Sequence, residues 1–254
     1  MGIKGTLWLG LLGYLFFLVA SFPASLAWSW LRVDPGVLTL EEISGTPWSG
    51  RAARIIAAHF EMGPLQWKIP IDSWLKLTPR ITLDLKGKDA FHLQGSVMVD
   101  KTLTVSVQEM IFSSPLSSMS PLLVRIPVDL VGQLEVHVDH LAVDDGKVVA
   151  IRARGQLMHF AVGIPWDKAL GGYTLEAKLG VDGEVLLHIR DVDGVVQTAL
   201  VMKLYADGRY VLRGSLRAGK GMDDQMANLL KQWIGLERGK VLPVRVEGNL
   251  GAFL

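Results

Sequence analysis

The residues of this chain best suited to chemistry are its histidines, because imidazole can bind a metal ion or move a proton near neutral pH. On a strand, His137 and Asp139 share one face and His140 lies on the other, so two ligands could meet one metal ion. No third ligand follows at a spacing typical of a metal site. The pattern therefore predicts the solvated polar face of an antiparallel strand. The six histidines are His59, His92, His137, His140, His159 and His188.

Two further motifs that would carry chemistry are incomplete or missing. Gly219-Lys220-Gly221 resembles part of a phosphate-binding loop, but it lacks the flanking glycine and the Ser or Thr after lysine. It therefore reads as a loop before a helix. The G-x-S-x-G turn of serine hydrolases does not occur, and the absence of cysteine excludes thiolate metal sites and disulfides. We expect no enzyme activity, no catalytic residue, no cofactor, no bound metal and no small-molecule substrate.

The first 31 residues contain the longest uncharged stretch of the chain. After Lys4, the 27 residues from Gly5 to Leu31 carry no charged side chain. About 20 apolar residues span a bilayer as a helix, so this stretch predicts a single transmembrane helix. A cleaved signal peptide is the alternative, since Ser25-Leu26-Ala27 offers small residues for cleavage. The apolar core from Thr6 to Phe22 is, however, longer than the roughly 7–15 residues of a signal peptide.

The flanks of this segment indicate its orientation. Trp8 stands near one end and Trp28 and Trp30 at the other, where indoles favour the level of the lipid headgroups. Lys4 favours a cytoplasmic N-terminus. We expect two parts: residues 1–31 as cytoplasmic tail and anchor, and residues 32–254 as a body on the far side. That body carries 25 basic and 25 acidic side chains, a balance that excludes nucleic-acid binding.

Apolar and polar residues alternate with a period of two through most of the body, which predicts antiparallel strands with one buried face. One such run, from Val97 to Val107, predicts a single strand. Asp-Gly pairs tolerate the positive φ of hairpin turns, and four of them separate the predicted strands. The segment from Gly172 to Leu216 is expected to hold about four consecutive antiparallel strands. The four pairs are Asp145-Gly146, Asp182-Gly183, Asp193-Gly194 and Asp207-Gly208.

One short amphipathic helix is predicted near the C-terminus, at about residues 223–234. Its apolar stripe includes Met226, Leu230 and Trp233, and Gly235 ends it. A helix of this length cannot cover the apolar faces of so many strands. The sheet must therefore close as a sandwich or curl into a trough. The fold class is mainly β, and an apolar trough would also suit a lipid.

The segment from Ser44 to Ala52 is unusual because it places two glycines, a proline and a tryptophan within nine residues. One interpretation is a tight turn packed under Trp48. The other is a contact surface for a protein partner, in which Trp48 and Arg51 face outward. Tryptophan and arginine are enriched at the energetic centres of protein interfaces.

Six short motifs follow the single apolar segment near the N-terminus and extend over nearly the whole chain. They are Ser44-Gly45-Thr46-x-Trp48-Ser49-Gly50-Arg51-Ala52, Leu65-x-Trp67-x-Ile69-Pro70, Pro127-Val128-Asp129-Leu130-x-Gly132, Gly172-Tyr173-x-Leu175, Asp207-Gly208-x-Tyr210-x-Leu212-x-Gly214 and Val246-x-Gly248-x-Leu250. Together and in this order, they resemble the type II secretion system protein N family (general secretion pathway protein N).

The resemblance implies a non-enzymatic accessory subunit of the bacterial inner membrane with its body in the periplasm. Its partners would be other type II secretion subunits and inner-membrane lipid, and it would support the export of folded proteins across the outer membrane. The rival hypothesis is a membrane-tethered β-trough that binds or transfers lipid. Co-purification with secretion subunits would favour the first, and co-extracted lipid would favour the second.

Overall fold

The computed structural model describes residues 3–31, 34, 38–57, 60–70, 73, 79–87, 90–100, 102, 104–118, 130–162, 168–219 and 221–249. The chain divides into two units, residues 1–88 and residues 89–254. The strands are antiparallel throughout the described pairings, which confirms the predicted mainly β class.

Two helices begin the first unit, where one was predicted. Helix α1 is Ile3–Ala20 and helix α2 is Ala24–Leu31. Within the part of these helices from Trp8 on, no single helix is long and apolar enough to span a membrane. Taken together, the two helices are long and apolar enough, but they are bent by 73° at the break between them. The continuous helix fails at Pro23, because proline has no N–H to donate and its ring clashes with the preceding turn.

The strands of the first unit form short hairpins. Strands β1, β4 and β5 pair in the order β1-β4-β5, and β2 pairs with β3, β3 with β6 and β6 with β7. Their bounds are β1 Leu38–Glu41, β2 Ser44–Gly45, β3 Ser49–Ala52, β4 Arg54–Ala57, β5 Phe60–Met62, β6 Leu65–Lys68 and β7 Arg80–Lys86.

The second unit is a meander in which each strand pairs with its neighbours in sequence, from β8 to β16. The predicted four strands between Gly172 and Leu216 are β12 to β15. The nine strands belong to one sheet, so this unit lacks, among its described residues, the second facing sheet of a sandwich. The bounds are β8 His92–Val99, β9 Val105–Pro115, β10 Leu130–Asp144, β11 Lys147–Val162, β12 Lys168–Leu179, β13 Val185–Asp191, β14 Val196–Leu204, β15 Arg209–Ala218 and β16 Val241–Asn249.

The register of this meander separates an apolar face from a polar face. Residues directly opposite each other on paired strands lie on the same face. One continuous row is apolar from β9 to β16: Met110, Val138, Ala153, Ala177, Leu187, Met202, Leu212 and Val246. The row beside it is largely charged or polar at its centre: His137, Arg154, Glu176 and His188.

The longest strands are bent by irregularities in their pairing. The register between β10 and β11 shifts at three places, and that between β11 and β12 shifts around Phe160. Glu109 and His159 take φ values of 52° and 51°, which non-glycine residues rarely adopt. Such bulges bend a strand and increase its twist, so they curve the sheet.

Helix α3, Asp224–Ile234, confirms the predicted C-terminal helix. The Asp223 carboxylate accepts a hydrogen bond of 2.6 Å from the Met226 N–H, and Gly235 ends the helix with a φ of 73°. Its stripe packs on the end of the apolar face, where Met226 and Leu236 are buried around Val196. The side chain of Trp233, predicted on the same stripe, lies outside the described part of the chain.

One local prediction, a single strand from Val97 to Val107, is wrong. Val97 to Val107 is not one strand but the hairpin of β8 and β9, because the Asp100 carboxylate accepts the N–H groups of Thr102 and Thr104 and turns the chain. Alternation persists through this turn because Val99 and Val105 are register partners.

All four Asp-Gly pairs lie between strands, as predicted, but they differ in backbone geometry. Asp145 and Gly146 both have positive φ, 45° and 70°, as a type I′ turn requires. In the pairs at 182–183 and 207–208 the glycine has positive φ but the aspartate does not, and the pair at 193–194 has no positive φ. There the Asp193 carboxylate instead accepts the Gly172 N–H at 2.7 Å.

Candidate functional site

The segment from Ser44 to Ala52 folds as the hairpin of β2 and β3. Thr46 and Ser49 close it with two backbone hydrogen bonds of 2.9 and 3.2 Å, which leaves Pro47 and Trp48 at the tip. Proline fixes φ near −65°, which suits the first corner of a turn. Gly45 has a φ of 88°, and a Cβ there would lie 2.6 Å from the Ser49 oxygen. The tight turn predicted for this segment is therefore present.

The aromatic ring packed on this hairpin is Trp67 of β6. A Cβ on Gly50 would lie 2.3 Å from Cζ2 of the Trp67 ring, so only glycine leaves room for the indole. The Trp67 Nε1 donates to the carbonyl oxygens of Thr46 and Pro47 at 3.3 and 3.2 Å. The role of covering ring that the sequence suggested for Trp48 thus belongs to Trp67. The sequence does not indicate this role for Trp67, because only the pairing of β3 with β6 brings Trp67 opposite Gly50.

Trp48 itself reaches back to the helices. Its indole Nε1 donates a hydrogen bond of 3.1 Å to the Val19 carbonyl oxygen, near the end of α1. Its own carbonyl oxygen accepts the Ile69 N–H at 2.7 Å. Trp48 is half-buried. It therefore links the hairpin tip to the break between α1 and α2, a contact that the sequence did not predict.

Arg51 has different surroundings from Trp48. Arg51 is exposed on β3 and pairs in register with Gln66, while Ser49 pairs with Lys68. All four side chains are exposed and share one face of the β3–β6 pair, which we call the Arg51 face. The opposite face of the pair carries Ala52, which is fully buried. The Arg51 face is thus polar, with two cationic side chains.

The histidines considered as metal ligands have other partners, and the register shift at Asp139 places His140 on the same face as His137, not on the opposite face as predicted. His137 Nε2 lies 2.6 Å from the Glu135 carboxylate, and Asp139 pairs with Arg154 at 3.1 Å. Among the described residues, no group of three or more His, Cys, Asp or Glu side chains could hold a metal ion. His59 and Lys220 lie outside the described residues. The loop at Gly219 is closed by its N–H, which donates to the Val195 oxygen at 2.8 Å.

A cavity of about 490 Å³ opens on the charged face of the meander, between β10 and β13. Among its lining residues are Glu135, His137, Arg154 and Glu176. The Nε2 of His188, also in the lining, is buried and makes no hydrogen bond with the described residues. Acidic and basic side chains alternate here, so the cavity does not select an ion of one sign.

Comparison with known proteins gives a consistent result over most of the chain. Residues 36–243 match the family model described as "Type II secretion system (T2SS), protein N". The chain is 27% identical over 250 residues to the type II secretion system protein N of Aeromonas hydrophila, covering 94% of this chain and 96% of that protein. No solved structure matches the chain.

Proposed function

This chain belongs to the type II secretion system protein N family, and we propose that it serves that system as an accessory subunit of the inner membrane. In this proposal the N-terminus lies in the cytoplasm and the strand-rich body lies in the periplasm. The subunit acts by contacts with other secretion subunits, not by catalysis. It thereby supports the export of folded proteins across the outer membrane.

The observation that carries this proposal is the join between the apolar helix pair and the strand body. The helices expose large apolar side chains all round, including Leu9, Phe16 and Phe17, each at least 70% exposed. Such a surface is costly in water and favourable in lipid. The hydrogen bond from Trp48 to Val19 fastens the first strands to these helices. A body held at a membrane in this way suits a scaffold subunit.

The Arg51 face is our candidate for the contact with another secretion subunit. Arg51 and Lys68 are exposed there and make no ion pair with any described residue. Two cationic side chains on an open polar face favour a partner with an acidic surface, because complementary charge steers association. Trp48 contributes indirectly in this proposal, by fixing the hairpin that presents Arg51.

The function is tested by crosslinking in intact cells, followed by capture of the full chain. We expect other secretion subunits to be recovered with it and deletion of the chain to reduce export of a folded enzyme. Undiminished export together with recovery of no secretion subunit would overturn the proposal.

The contact is tested by Arg51→Glu, with Lys86→Glu as a matched control on another exposed cation of the first unit. Arg51→Glu should reduce export several-fold and leave thermal unfolding unchanged, while Lys86→Glu should change neither. Wild-type export by Arg51→Glu would exclude this face as the contact. Trp48→Ala, by contrast, should lower stability, and an unaltered melting curve with lost export would make Trp48 a contact residue as well.

A second candidate function, lipid binding, is favoured by the apolar face of the meander. Helix α3 covers it only around Val196, and the row at Leu187, Met202 and Leu212 is half-buried. Mass spectrometry of lipid extracted from the purified chain tests this candidate. Phospholipid recovered in proportion to protein, and lost on Met202→Glu, would favour the lipid carrier.

A further inference from the structure

Helix α2 has two faces with different surroundings. Ala24 is buried, and Ala27 and Trp28 are half-buried; these three lie on one side at helical spacing. Leu26 and Trp30 lie on the opposite side and are 49% and 72% exposed. The helix contacts β2 within the first unit. It therefore turns Ala24, Ala27 and Trp28 inward and presents Leu26 and Trp30 outward.

The outward face of α2 continues the exposed apolar surface of α1. No charged residue interrupts the chain between Gly5 and Leu31, and the ring of Trp30 packs on Phe22 at the break, with centroids 5.1 Å apart. Beyond the bend, the apolar surface is thus continued by Leu26 and Trp30. This continuity indicates that the bilayer contacts both helices.

The contact with Trp48 fixes the depth of the break between the helices. The hairpin tip bonds to Val19, so β2 and β3 lie beside the end of α1. An open sheet edge does not occur in the hydrocarbon core, because its backbone groups would lack hydrogen-bond partners. The break must therefore lie at the boundary of the bilayer and not at its centre.

The length of α1 agrees with this depth. Counted from Ile3, its 18 residues extend about 27 Å at 1.5 Å per residue, close to the roughly 30 Å of the hydrocarbon core, whereas the part from Trp8 on is too short to span it alone. Because α2 departs from α1 by 73°, it runs nearly parallel to the bilayer if α1 crosses it. Indole rings such as that of Trp30 favour the headgroup level.

We propose that α2 is an interfacial helix, which binds the surface of the bilayer through Leu26 and Trp30 while it also contacts β2, whose hairpin is bonded by Trp48 to the end of α1. The partner is the headgroup and upper acyl region of the lipid. This inference rests on the proposed membrane anchor, and it assigns the second helix to the surface and not to the span. The hairpin is thereby held at the membrane.

The absence of cysteine allows a direct depth measurement on the full chain. Nitroxide labels are placed on single cysteines at Leu15 in α1, at Leu26 in α2 and at Val181, which is fully exposed in the turn between β12 and β13. The protein is reconstituted in vesicles of phosphatidylethanolamine and phosphatidylglycerol. A label that is highly accessible to oxygen lies in the hydrocarbon core, and a label that is highly accessible to a water-soluble nickel reagent lies in water. Ser25→Cys supplies a second reporter on α2 if Leu26→Cys folds poorly.

We expect the α2 label to be several-fold less accessible to nickel than the Val181 label, and less accessible to oxygen than the Leu15 label. Nickel accessibility equal to that at Val181 would place α2 in water, and oxygen accessibility equal to that at Leu15 would place it in the span. Either result overturns the inference while leaving the anchor intact. A Leu15 label as accessible to nickel as Val181 would instead overturn the anchor itself, and the inference with it.

Discussion

Pro23 stands four residues after Val19, and the Val19 carbonyl oxygen, which the N–H of residue 23 would bond in a continuous helix, accepts the Trp48 indole N–H instead. The Phe22 N–H also donates a hydrogen bond to this oxygen, at 3.3 Å. The break in the helix and the contact with the hairpin thus have one cause. Proline deprives the Val19 oxygen of the N–H of residue 23, and the indole N–H of a tryptophan 29 residues later donates to it.

Trp48→Phe removes the donor and keeps an aromatic ring. We expect the full chain in detergent micelles to lose about 0.5–1.5 kcal/mol of unfolding free energy, the net value of one hydrogen bond. In a Pro23→Ala background the cost should be smaller, because residue 23 then offers its own N–H to Val19. Chemical unfolding followed by circular dichroism measures both. An equal cost in the two backgrounds would refute the shared role of Val19.

Gly50→Ala should displace Trp67, because the new Cβ would meet the indole ring at 2.3 Å. We expect a loss of about 1–3 kcal/mol, as for other overpacked sites. Gly221→Ala is the control, since its nearest neighbour lies 3.6 Å away. Combining Gly50→Ala with Trp67→Leu should cost less than the sum of the two single changes. If denaturant unfolding shows that the double variant loses as much unfolding free energy as the sum of the two single variants, Gly50 and Trp67 are not in contact.

Leu236→Ala should cost about 2–5 kcal/mol, because Leu236 is 1% exposed in the cluster beneath α3. Leu230→Ala should cost less, since Leu230 is only partly buried there. Ile234→Ala, at a side chain that is 43% exposed, serves as the surface control. Urea unfolding ranks the three variants. We expect the loss of unfolding free energy to decrease in the order Leu236, Leu230, Ile234. A loss at Leu236 as small as that at Ile234 would show that α3 does not pack on the sheet.

Glu184 should make stability depend on pH. The hydrogen bond from the Lys203 ammonium, at 3.0 Å, is the largest cause that lowers the pKa of Glu184 below 4.5. The folded state therefore holds its proton less tightly than the unfolded state. The contribution is complete well above pH 4.5 and is lost as the pH falls through the lowered pKa.

Glu184→Gln tests this pH dependence. The variant should unfold more readily than wild type near neutral pH, and the two unfolding midpoints should converge as the medium becomes acidic. A Lys203→Met variant should raise the pKa of Glu184 towards its ordinary value, as measured by NMR titration. A constant difference between wild type and Glu184→Gln at every pH would exclude the ion pair as the cause.

The sequence predicted those features that depend on local chemistry. The apolar stripe and the stop at Gly235 place α3 to within a residue, and strands β12 to β15 follow from alternation. Alternation does not show where a strand ends, because the apolar residues can stay at odd positions on both strands of a hairpin, as Val99 and Val105 do. For this reason the hairpin between Val97 and Val107 was predicted as one strand. The break at Pro23 was missed because hydropathy reports length and polarity but not backbone geometry.

The candidate site was predicted only in part, since its contacts are distant in sequence. A turn within Ser44 to Ala52 follows from glycine and proline. The ring that covers it, Trp67, and the oxygen that Trp48 binds are supplied by other elements. No pattern of spacing encodes either pairing.

The order of the strands in the second unit sets the way in which the chain can fold. Each strand from β8 to β16 pairs only with strands adjacent in sequence among those the structure describes. Contacts between residues close in sequence close small loops, and proteins rich in them fold quickly. During synthesis, the partner of each new strand has therefore already been made. The sheet can grow from its first hairpin before the C-terminal strands are synthesised.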